Sequence, residues 1–189
     1  MSRSALARDV ELPEDEKSLA AAAESVEAVV VAFKEAGKDE GLGKLLFYML
    51  PKREAVWAAC LVARAAEKFY GAVPSRACAA AELWVRDQSE EARYKAFELA
   101  DAEGFDRPGA WAALSAFWAG PSMAPADAEQ AVAPAPYHFV VAAVNAFTLA
   151  LPVNPDLYPH GLKLYLGVIE DIARGETGMA RLTKAIEVN

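Results

Sequence analysis

Residues 55–63 read AVWAACLVA, nine consecutive residues without a charged side chain. Charged residues lie on both sides of this run, KRE at 52–54 before it and Arg64, Glu67 and Lys68 after it. If the run is helical, apolar side chains cover its whole circumference, and such a helix has to be surrounded by other helices. The charged ends mark the points where water or ion partners reach it. The run therefore predicts a central, buried helix.

Helical signals continue on both sides of this central segment. Apolar residues recur every three or four positions, and serine, aspartate, glycine or proline stands at many of the predicted ends. No segment lies between hairpin turns, as strands do. The predicted helices are 17–33, 43–49, 52–68, 74–86, 89–103, 106–119, 136–151 and 159–174, with a final turn or two at 179–188.

These segments predict an all-α fold, a compact bundle or a short stack of antiparallel helical hairpins with about 7–9 helices. Short turns suggest three hairpins, at 52–86, 89–119 and 136–174. Residues 1–16 are predicted to be a flexible acidic leader and residues 17–189 a single helical domain. The stretch 122–135 is rich in alanine and proline, which is typical of a surface loop.

Composition restricts the classes of partner and compartment. The formal net charge is -8, so a nucleic acid backbone would on balance be repelled. No apolar stretch of signal-peptide length lies near the start, and the apolar segment 136–151 is shorter than the ~20 residues that cross a bilayer. Cys60 and Cys78 fall in different predicted helices, a pattern of neither a zinc site nor a disulfide scaffold. We therefore expect a cytoplasmic protein without membrane insertion.

Two patterns that suggest catalysis or ligand binding fail on inspection. Gly37, Gly41, Gly43 and Lys44 resemble a phosphate-binding loop, but the spacing is wrong and Leu45 replaces the required serine or threonine. A polar turn between helices is the preferred interpretation. The two histidines, His138 and His160, begin different predicted helices and lack a metal-binding spacing. We accordingly predict no catalytic, metal or cofactor site, and a protein that is not an enzyme.

The four tryptophans allow two interpretations. An aromatic cage or stacking platform is one, and burial between alanine-lined helices is the other. Burial is preferred for Trp57, Trp84 and Trp111, whereas Trp118 ends a helix beside Gly120 and fits either role.

Charged residues cluster at predicted helix ends around the tryptophans. Arg53 and Arg64 are eleven residues apart, about three helical turns, so they share a face with Trp57 and Cys60 between them. Ion pairs and carbonyl caps between helices are the preferred explanation. The alternative is a protein-binding surface, because arginine and tryptophan dominate binding hot spots. The candidate surface consists of Lys52, Arg53, Arg64, Arg86, Asp87, Arg93 and Trp118.

The order of these motifs resembles an uncharacterised bacterial family of small all-helical proteins, some of which are associated with type VI secretion gene clusters. The resemblance extends over about residues 19–175. The motifs that carry it are LPKREAVW at 50–57, ACL at 59–61, AR at 63–64, AE at 81–82, WVRD at 84–87, EE at 90–91, Arg93, Gly109, WAAL at 111–114, AFW at 116–118 and Gly120.

The resemblance implies an accessory role in secretion rather than a particular activity. We expect a non-enzymatic adaptor or accessory factor that binds another protein, either a secretion component or a toxin. The alternative is an immunity protein that neutralises a cognate toxin, since an acidic helical protein would attract a basic one. The sequence does not indicate an oligomeric state.

Overall fold

The structure is a computed structural model that describes residues 12–125 and 127–188. In these two ranges the chain forms ten helices and no strand, so the all-α prediction is confirmed. The helices are α1 (Glu14–Ala22), α2 (Val26–Glu35), α3 (Asp39–Met49), α4 (Lys52–Phe69), α5 (Arg76–Asp87), α6 (Glu90–Glu103), α7 (Pro108–Ala119), α8 (His138–Ala150), α9 (Tyr158–Ala173) and α10 (Met179–Val188).

Helix α4 is the centre of the fold. It packs against α5, α7, α8 and α9, and α3 reaches it at one end. Within the uncharged run 55–63 every side chain is buried except that of Trp57, which is half-buried. Alanines such as Ala58, Ala59 and Ala63 are fully buried, and their small side chains let neighbouring helices approach closely. The predicted central helix is therefore confirmed.

The remaining helices form two groups around α4. On one side, α7 packs against α5, α6 and α8, and α5 packs against α6. On the other side, α9 packs against α3 and carries α10 along its C-terminal part, while α1 and α2 continue from the edge of α3. The first two predicted hairpins are present, because α4 contacts α5 and α6 contacts α7.

The third predicted hairpin, 136–174, is wrong. Helix α8 packs mainly against α7 and α4, and α9 packs mainly against α3 and α4, so the two helices meet only near the turn between them. There Tyr165 Oη donates to the carbonyl of Ala150 at 2.9 Å. Pro152 in the turn lies against Gly161, where an added Cβ would come within 2.6 Å of its ring. Pro152 therefore packs against the first turn of α9, next to the place where the two helices meet.

Large aromatic side chains fill the space between α3, α8 and α9. The rings of Phe47 and Phe147 are 6.0 Å apart, and those of Phe147 and Tyr165 are 6.4 Å apart. Gly43 makes room for this cluster, because a Cβ at this position would lie 2.7 Å from Phe147 Cζ. Replacing a buried phenylalanine with alanine in such a core costs about 3–5 kcal/mol.

The N-terminal part differs from the prediction. The single helix expected at 17–33 is two helices, α1 and α2, and Ser25 begins the second by accepting a hydrogen bond from the amide of Ala28 at 3.0 Å. Serine favours this capping position over the helix interior, which explains the break. Residues 1–11 of the predicted leader lie outside the described residues. Leu12 is buried and Glu14 already begins α1, so the described end of the predicted leader packs against the fold.

The predicted turn in the glycine-rich segment is confirmed only at Gly37, which lies between α2 and α3 with a φ of 66°, whereas Gly41 and Gly43 are helical. Helix α3 begins at Asp39, four residues before the predicted start, and includes Gly41 and Gly43. The absence of a side chain at Gly41 makes room for Glu16, whose Oε2 would lie 2.0 Å from an added Cβ. The glycines therefore serve helix packing.

Most other helix ends follow their capping residues. Ser89 Oγ accepts from the amide of Ala92 at 3.2 Å, as predicted for the start of α6. Helix α5 begins at Arg76 rather than Pro74, because Ser75 is its cap and accepts from the amide of Cys78 at 3.0 Å. Gly104 ends α6 with a φ of 83°, a conformation that favours glycine.

The predicted loop at 122–135 contains no helix in its described residues, and the amide of Met123 donates to the carbonyl of Val132 at 2.7 Å across it. Cys60 and Cys78 are buried free thiols on α4 and α5. Across the described ranges, no helix combines the length and apolar character needed to cross a membrane.

Candidate interaction groove

A groove of about 890 Å³ lies between α4, α5 and the C-terminal segment that connects α9 to α10. Apolar side chains make up much of its wall, and charged side chains stand among them. We call this feature the α4 groove. The residues that line it are Arg53, Glu54, Trp57, Leu61, Arg64, Ala65, Lys68, Phe69, Glu82, Val85, Arg86, Ile172, Gly175, Glu176, Thr177, Met179, Leu182 and Thr183.

One stripe of α4 forms a side of the groove. Arg53, Trp57, Leu61, Arg64 and Lys68 follow each other at intervals of three or four residues. At 3.6 residues per turn this spacing keeps all five on one face of the helix. The prediction that Arg53 and Arg64 lie on one helix face, with Trp57 between them, is therefore confirmed. Cys60, which was expected on that face, is fully buried on the inner side of α4.

Trp57 connects α4 to the C-terminal segment. Its side chain is half-buried, and its Nε1 donates to the carbonyl of Thr177 at 2.9 Å. The indole is thus held in place by one polar contact while part of the ring remains accessible in the groove. The prediction of burial is therefore overstated for Trp57, which is half-buried and packs against the core.

Helix α10 forms the opposite wall. Met179 is 46% exposed, whereas Leu182, one turn further on, is 7% exposed and packs into the core. The Arg181 guanidinium donates to the Asp171 carboxylate of α9 at 2.7 and 2.8 Å, and Arg174 also bonds to Asp171. The hydrogen bond from Arg181 lowers the pKa of Asp171. This buried carboxylate therefore ties α10 to the rest of the fold.

Arg64 joins α4 to α5 across one part of the groove. Its Nε and one Nη donate to the two Glu82 oxygens at 2.7 and 3.0 Å, a bidentate arrangement. The other Nη donates to Glu67 at 2.9 Å and to the carbonyl of Ser75 at 3.3 Å. The hydrogen bond with Glu82 raises the pKa of Arg64. Most of its donors are therefore used within the protein.

Arg53, Lys68 and Arg86 retain free donors at the rim of the groove. All three are exposed, and in the part of the chain that the structure describes they make one hydrogen bond, from Arg53 Nε to the carbonyl of Val85 at 2.7 Å. Within the described ranges, the ion pairs that include a lining residue join Arg64 to Glu67 and Glu82, and Glu176 to Arg174. None of these ion pairs includes Arg53, Lys68 or Arg86. They are available to a ligand.

The structure brings three of the predicted surface residues together in the α4 groove: Arg53, Arg64 and Arg86. Lys52 lies outside it, where its Nζ donates to the carbonyl of Ala119 at the end of α7 at 2.9 Å. With the bond from Arg53 to Val85, this supports the structural interpretation of carbonyl caps between helices for both residues.

Asp87 and Trp118 also lie outside the groove lining. Asp87 Oδ1 accepts from the amide of Ser89 at 2.9 Å, and this hydrogen bond lowers its pKa. Trp118 is half-buried and packs beside the ring of His138, with 5.1 Å between the ring centres.

Arg93 does not belong to a surface, because its side chain is 0% exposed. One Nη donates to the carbonyls of Phe117 and Ser122 at 2.9 and 2.8 Å, and Nε and the other Nη bind Glu90 at 2.8 and 2.6 Å. The guanidinium also stacks over Tyr94, 4.4 Å from the ring centre. Including Arg93 in a binding surface was therefore wrong, and its role is to satisfy carbonyls at the end of α7.

The other tryptophans divide between core and boundary. Trp84 is buried, as predicted. Trp111 is half-buried, and its Nε1 donates to the carbonyl of Phe105 at 2.8 Å. The prediction of burial is thus confirmed for Trp84 and overstated for Trp111.

Sequence reasoning missed the contribution of the C-terminal segment to the groove. Met179 and Leu182 are three residues apart, which is a helical spacing, but the segment was expected to be only a turn or two. The position of the segment depends on the hydrogen bond from Arg181 to Asp171, which lies ten residues earlier. No local pattern reveals such a contact.

The histidines take structural positions at helix starts. His138 begins α8, and Nδ1 of His160 is 2.8 Å from Tyr70 Oη. In the part of the chain that the structure describes, no group of three or more histidine, cysteine, aspartate or glutamate side chains is arranged to hold a metal ion.

Comparison with known proteins gives a family for the chain. No match was found among curated proteins or among solved structures. A family model matches residues 29–173, well over half of the chain. The matched part contains α4 and α5, while Gly175–Leu182 of the groove wall follow it. The chain therefore belongs to the family described as Family of unknown function (DUF6931).

Proposed function

We propose that this protein is a non-enzymatic interaction module that binds another protein in the α4 groove. The observation that carries this proposal is the position of Trp57, half-buried in a groove of about 890 Å³ and fixed by its hydrogen bond to Thr177. A large aromatic side chain held in one orientation and partly accessible loses little conformational freedom on binding.

The chemistry of the groove favours a protein as its ligand. Tryptophan, methionine and arginine are enriched at protein interfaces, and the groove has Trp57, Met179, Arg53 and Arg86 around an apolar floor. A nucleic acid would meet a chain with a net charge of -8. The cations of the groove are too few to offset that charge along a phosphate backbone.

The cellular role that we propose is that of a cytoplasmic adaptor or accessory factor of a bacterial secretion system. The resemblance of the motifs at 50–64 and 81–93 to proteins of type VI secretion gene clusters supports it. The second candidate is an immunity protein, favoured by the net charge of -8, which would speed association with a basic toxin. The neighbouring genes distinguish the two, because a toxin gene supports immunity and structural secretion genes support an adaptor.

A matched pair of variants tests the groove as the binding site. Met179→Glu places a charge in the groove wall. Leu149→Glu makes the same kind of change on α8, outside the groove lining, and the two side chains are almost equally exposed, Met179 at 46% and Leu149 at 45%. We expect affinity capture from the native cells to recover the same partner with the wild type and with Leu149→Glu, and to lose it with Met179→Glu. Retention of the partner by Met179→Glu would contradict the proposal.

A further inference from the structure

Several charged side chains of the α4 groove have no ion pair among the described residues. Of its cations, Arg64 alone is paired with carboxylates in the described ranges, while Arg53, Lys68 and Arg86 are exposed and form no ion pair there. Of its carboxylates, Glu82 is paired with Arg64 and Glu176 with Arg174, while Glu54 has no ion pair among the described residues. Asp87, the neighbour of Arg86, lies outside the lining but interacts with that arginine electrostatically.

These exposed cations without an ion pair are opposite in sign to the net charge of the whole molecule. The chain has a net charge of -8, so its overall field repels acidic ligands and attracts basic ones. A basic segment entering the groove would meet three unpaired cations at close range, and like charges in an interface oppose binding strongly. An acidic segment would meet favourable partners at the same positions. At these three positions a ligand segment that carries carboxylates is favoured over a basic one.

The positions of the cations indicate where those carboxylates lie. Arg53 and Lys68 are fifteen residues apart on α4, which corresponds to about 22 Å along the helix. Arg86 follows Val85, whose carbonyl binds Arg53, so it belongs to the same end as Arg53. Trp57 and Leu61 line the groove between the two ends. A ligand of matching shape has apolar side chains in its centre and acidic residues on both sides.

We propose that the occupant of the α4 groove is an amphipathic helix of a partner protein, with an apolar face flanked by glutamate or aspartate at both ends. A helix that spans about 22 Å has about fifteen residues, or four turns. Its apolar face packs on the accessible parts of Trp57 and Met179, and its carboxylates bind Arg53 and Arg86 at one end and Lys68 at the other. This inference rests on the proposed function, since it names the chemistry of the partner in the same groove.

Two fifteen-residue peptides test the charge preference. They share an apolar face of leucine and phenylalanine, and their flanking residues are glutamate in one and lysine in the other. The probe is the indole N–H resonance of Trp57 in ¹⁵N-labelled protein, assigned by its loss in Trp57→Phe. We expect the glutamate peptide to shift this resonance saturably and to bind about tenfold or more tightly than the lysine peptide.

Charge-reversal variants locate the effect. The double variant Arg53→Glu/Arg86→Glu should lower the affinity for the glutamate peptide about tenfold. The single variant Arg86→Glu leaves the hydrogen bond from Arg53 to Val85 intact and should lower the affinity by a smaller factor. The control Lys95→Glu/Lys163→Glu has the same change in net charge at exposed lysines outside the groove lining and should leave the affinity unchanged. Thermal unfolding confirms that each variant is folded.

Several results would overturn the inference. They are equal or tighter binding of the lysine peptide, no binding of the glutamate peptide, and an affinity unaffected by Arg53→Glu/Arg86→Glu. A dimer of the full chain that Arg53→Glu/Arg86→Glu dissociates in sedimentation would show that a second copy occupies the groove. A captured partner that loses binding to Met179→Glu but inserts a basic segment would overturn this inference while leaving the proposed function intact.

Discussion

Arg181 on α10 donates two hydrogen bonds to Asp171 on α9, from Nε to Oδ2 at 2.7 Å and from one Nη to Oδ1 at 2.8 Å. The Asp171 side chain is buried and the arginine is partly exposed. The α4 groove depends on this pair, because α10 supplies one of its walls and α9 is the helix against which it packs.

Replacing Asp171 with asparagine should loosen α10. Hydrogen bonds to charged groups contribute about 1.5–3 kcal/mol when shielded, and the partial exposure of Arg181 reduces this to about 1–2 kcal/mol. We expect Asp171→Asn to lower the free energy of unfolding in urea by that amount and to speed amide hydrogen exchange in α10. Asp101→Asn, at an exposed aspartate of α6, is the matched control. Unchanged exchange in α10 would show that the pair does not hold the wall.

The same pair predicts a pH dependence. Arg181 lowers the pKa of Asp171 in the folded state, so the stability from this carboxylate is present above its unfolded pKa and is lost as the pH falls through the folded pKa. The difference between the wild type and Asp171→Asn should therefore be largest at neutral pH and disappear in acid. Urea unfolding over this range measures it, and a difference that persists in acid would argue against an ionic contribution.

Arg93 should be intolerant even of lysine. A lysine has one nitrogen in place of the guanidinium fork that reaches Phe117, Ser122 and Glu90, so buried carbonyls lose their partner. We expect Arg93→Lys to lower the free energy of unfolding by about 2 kcal/mol or more. Arg86→Lys, at an exposed arginine without such bonds, should change it by less than about 0.5 kcal/mol. Similar values for the two variants would contradict this assignment.

Glu16 should destabilise the folded state at neutral pH. Its side chain is 7% exposed, its Oε2 has no hydrogen-bond partner among the described residues, and burial raises its pKa despite Lys38 at 3.8 Å. A carboxyl group with a raised folded pKa stabilises the fold below its unfolded pKa, and this stabilisation is lost as the pH rises through the folded pKa.

The variant Glu16→Gln keeps the shape of the side chain and removes the charge. Its urea midpoint should exceed that of the wild type at neutral pH, and the gain should vanish in acid, where the wild-type carboxyl is protonated. Glu35→Gln, at an exposed glutamate of α2, should show no gain. A lower midpoint for Glu16→Gln at neutral pH would mean that the ion pair with Lys38 outweighs burial.

Glu103 links the end of α6 to the start of α5. Its Oε1 accepts from the amides of Arg76 and Ala77 at 2.6 and 3.1 Å, and its Oε2 accepts from Ser75 Oγ at 2.7 Å. Removing an acceptor at a helix start costs about 0.5–2 kcal/mol. We expect Glu103→Ala to lower the free energy of unfolding within this range, and Glu98→Ala, at an exposed glutamate of α6, to lower it less. Equal losses would assign the effect to helix propensity.

Local patterns predicted much of the helical framework. The uncharged run 55–63 identified α4 as the central helix, and Ser89 placed the start of α6 correctly. These features depend on residues that are close in sequence. A capping side chain or an uncharged run can therefore be identified from the sequence alone. Part of the lining of the candidate groove was predicted for the same reason, since Arg53 and Arg64 lie on one face of one helix.

Contacts between distant segments escaped prediction. The buried position of Arg93 depends on carbonyls 24 and 29 residues away, and Trp57 meets Thr177 at a separation of 120 residues. Glycines at 41 and 43 have the appearance of a turn, but they lie within α3, where the absence of a side chain leaves room for Glu16 and Phe147. Composition and spacing do not report which surfaces meet, so the second wall of the groove was found only in the structure.

The most direct test of the account follows Trp57 during binding of the protein partner recovered by affinity capture. In ¹⁵N-labelled protein, the indole resonance of Trp57 should shift and saturate as the partner is added, while that of Trp118, which lies outside the groove lining, stays in place. A saturated complex in which the Trp57 resonance is unchanged would contradict the claim that the α4 groove is the binding site.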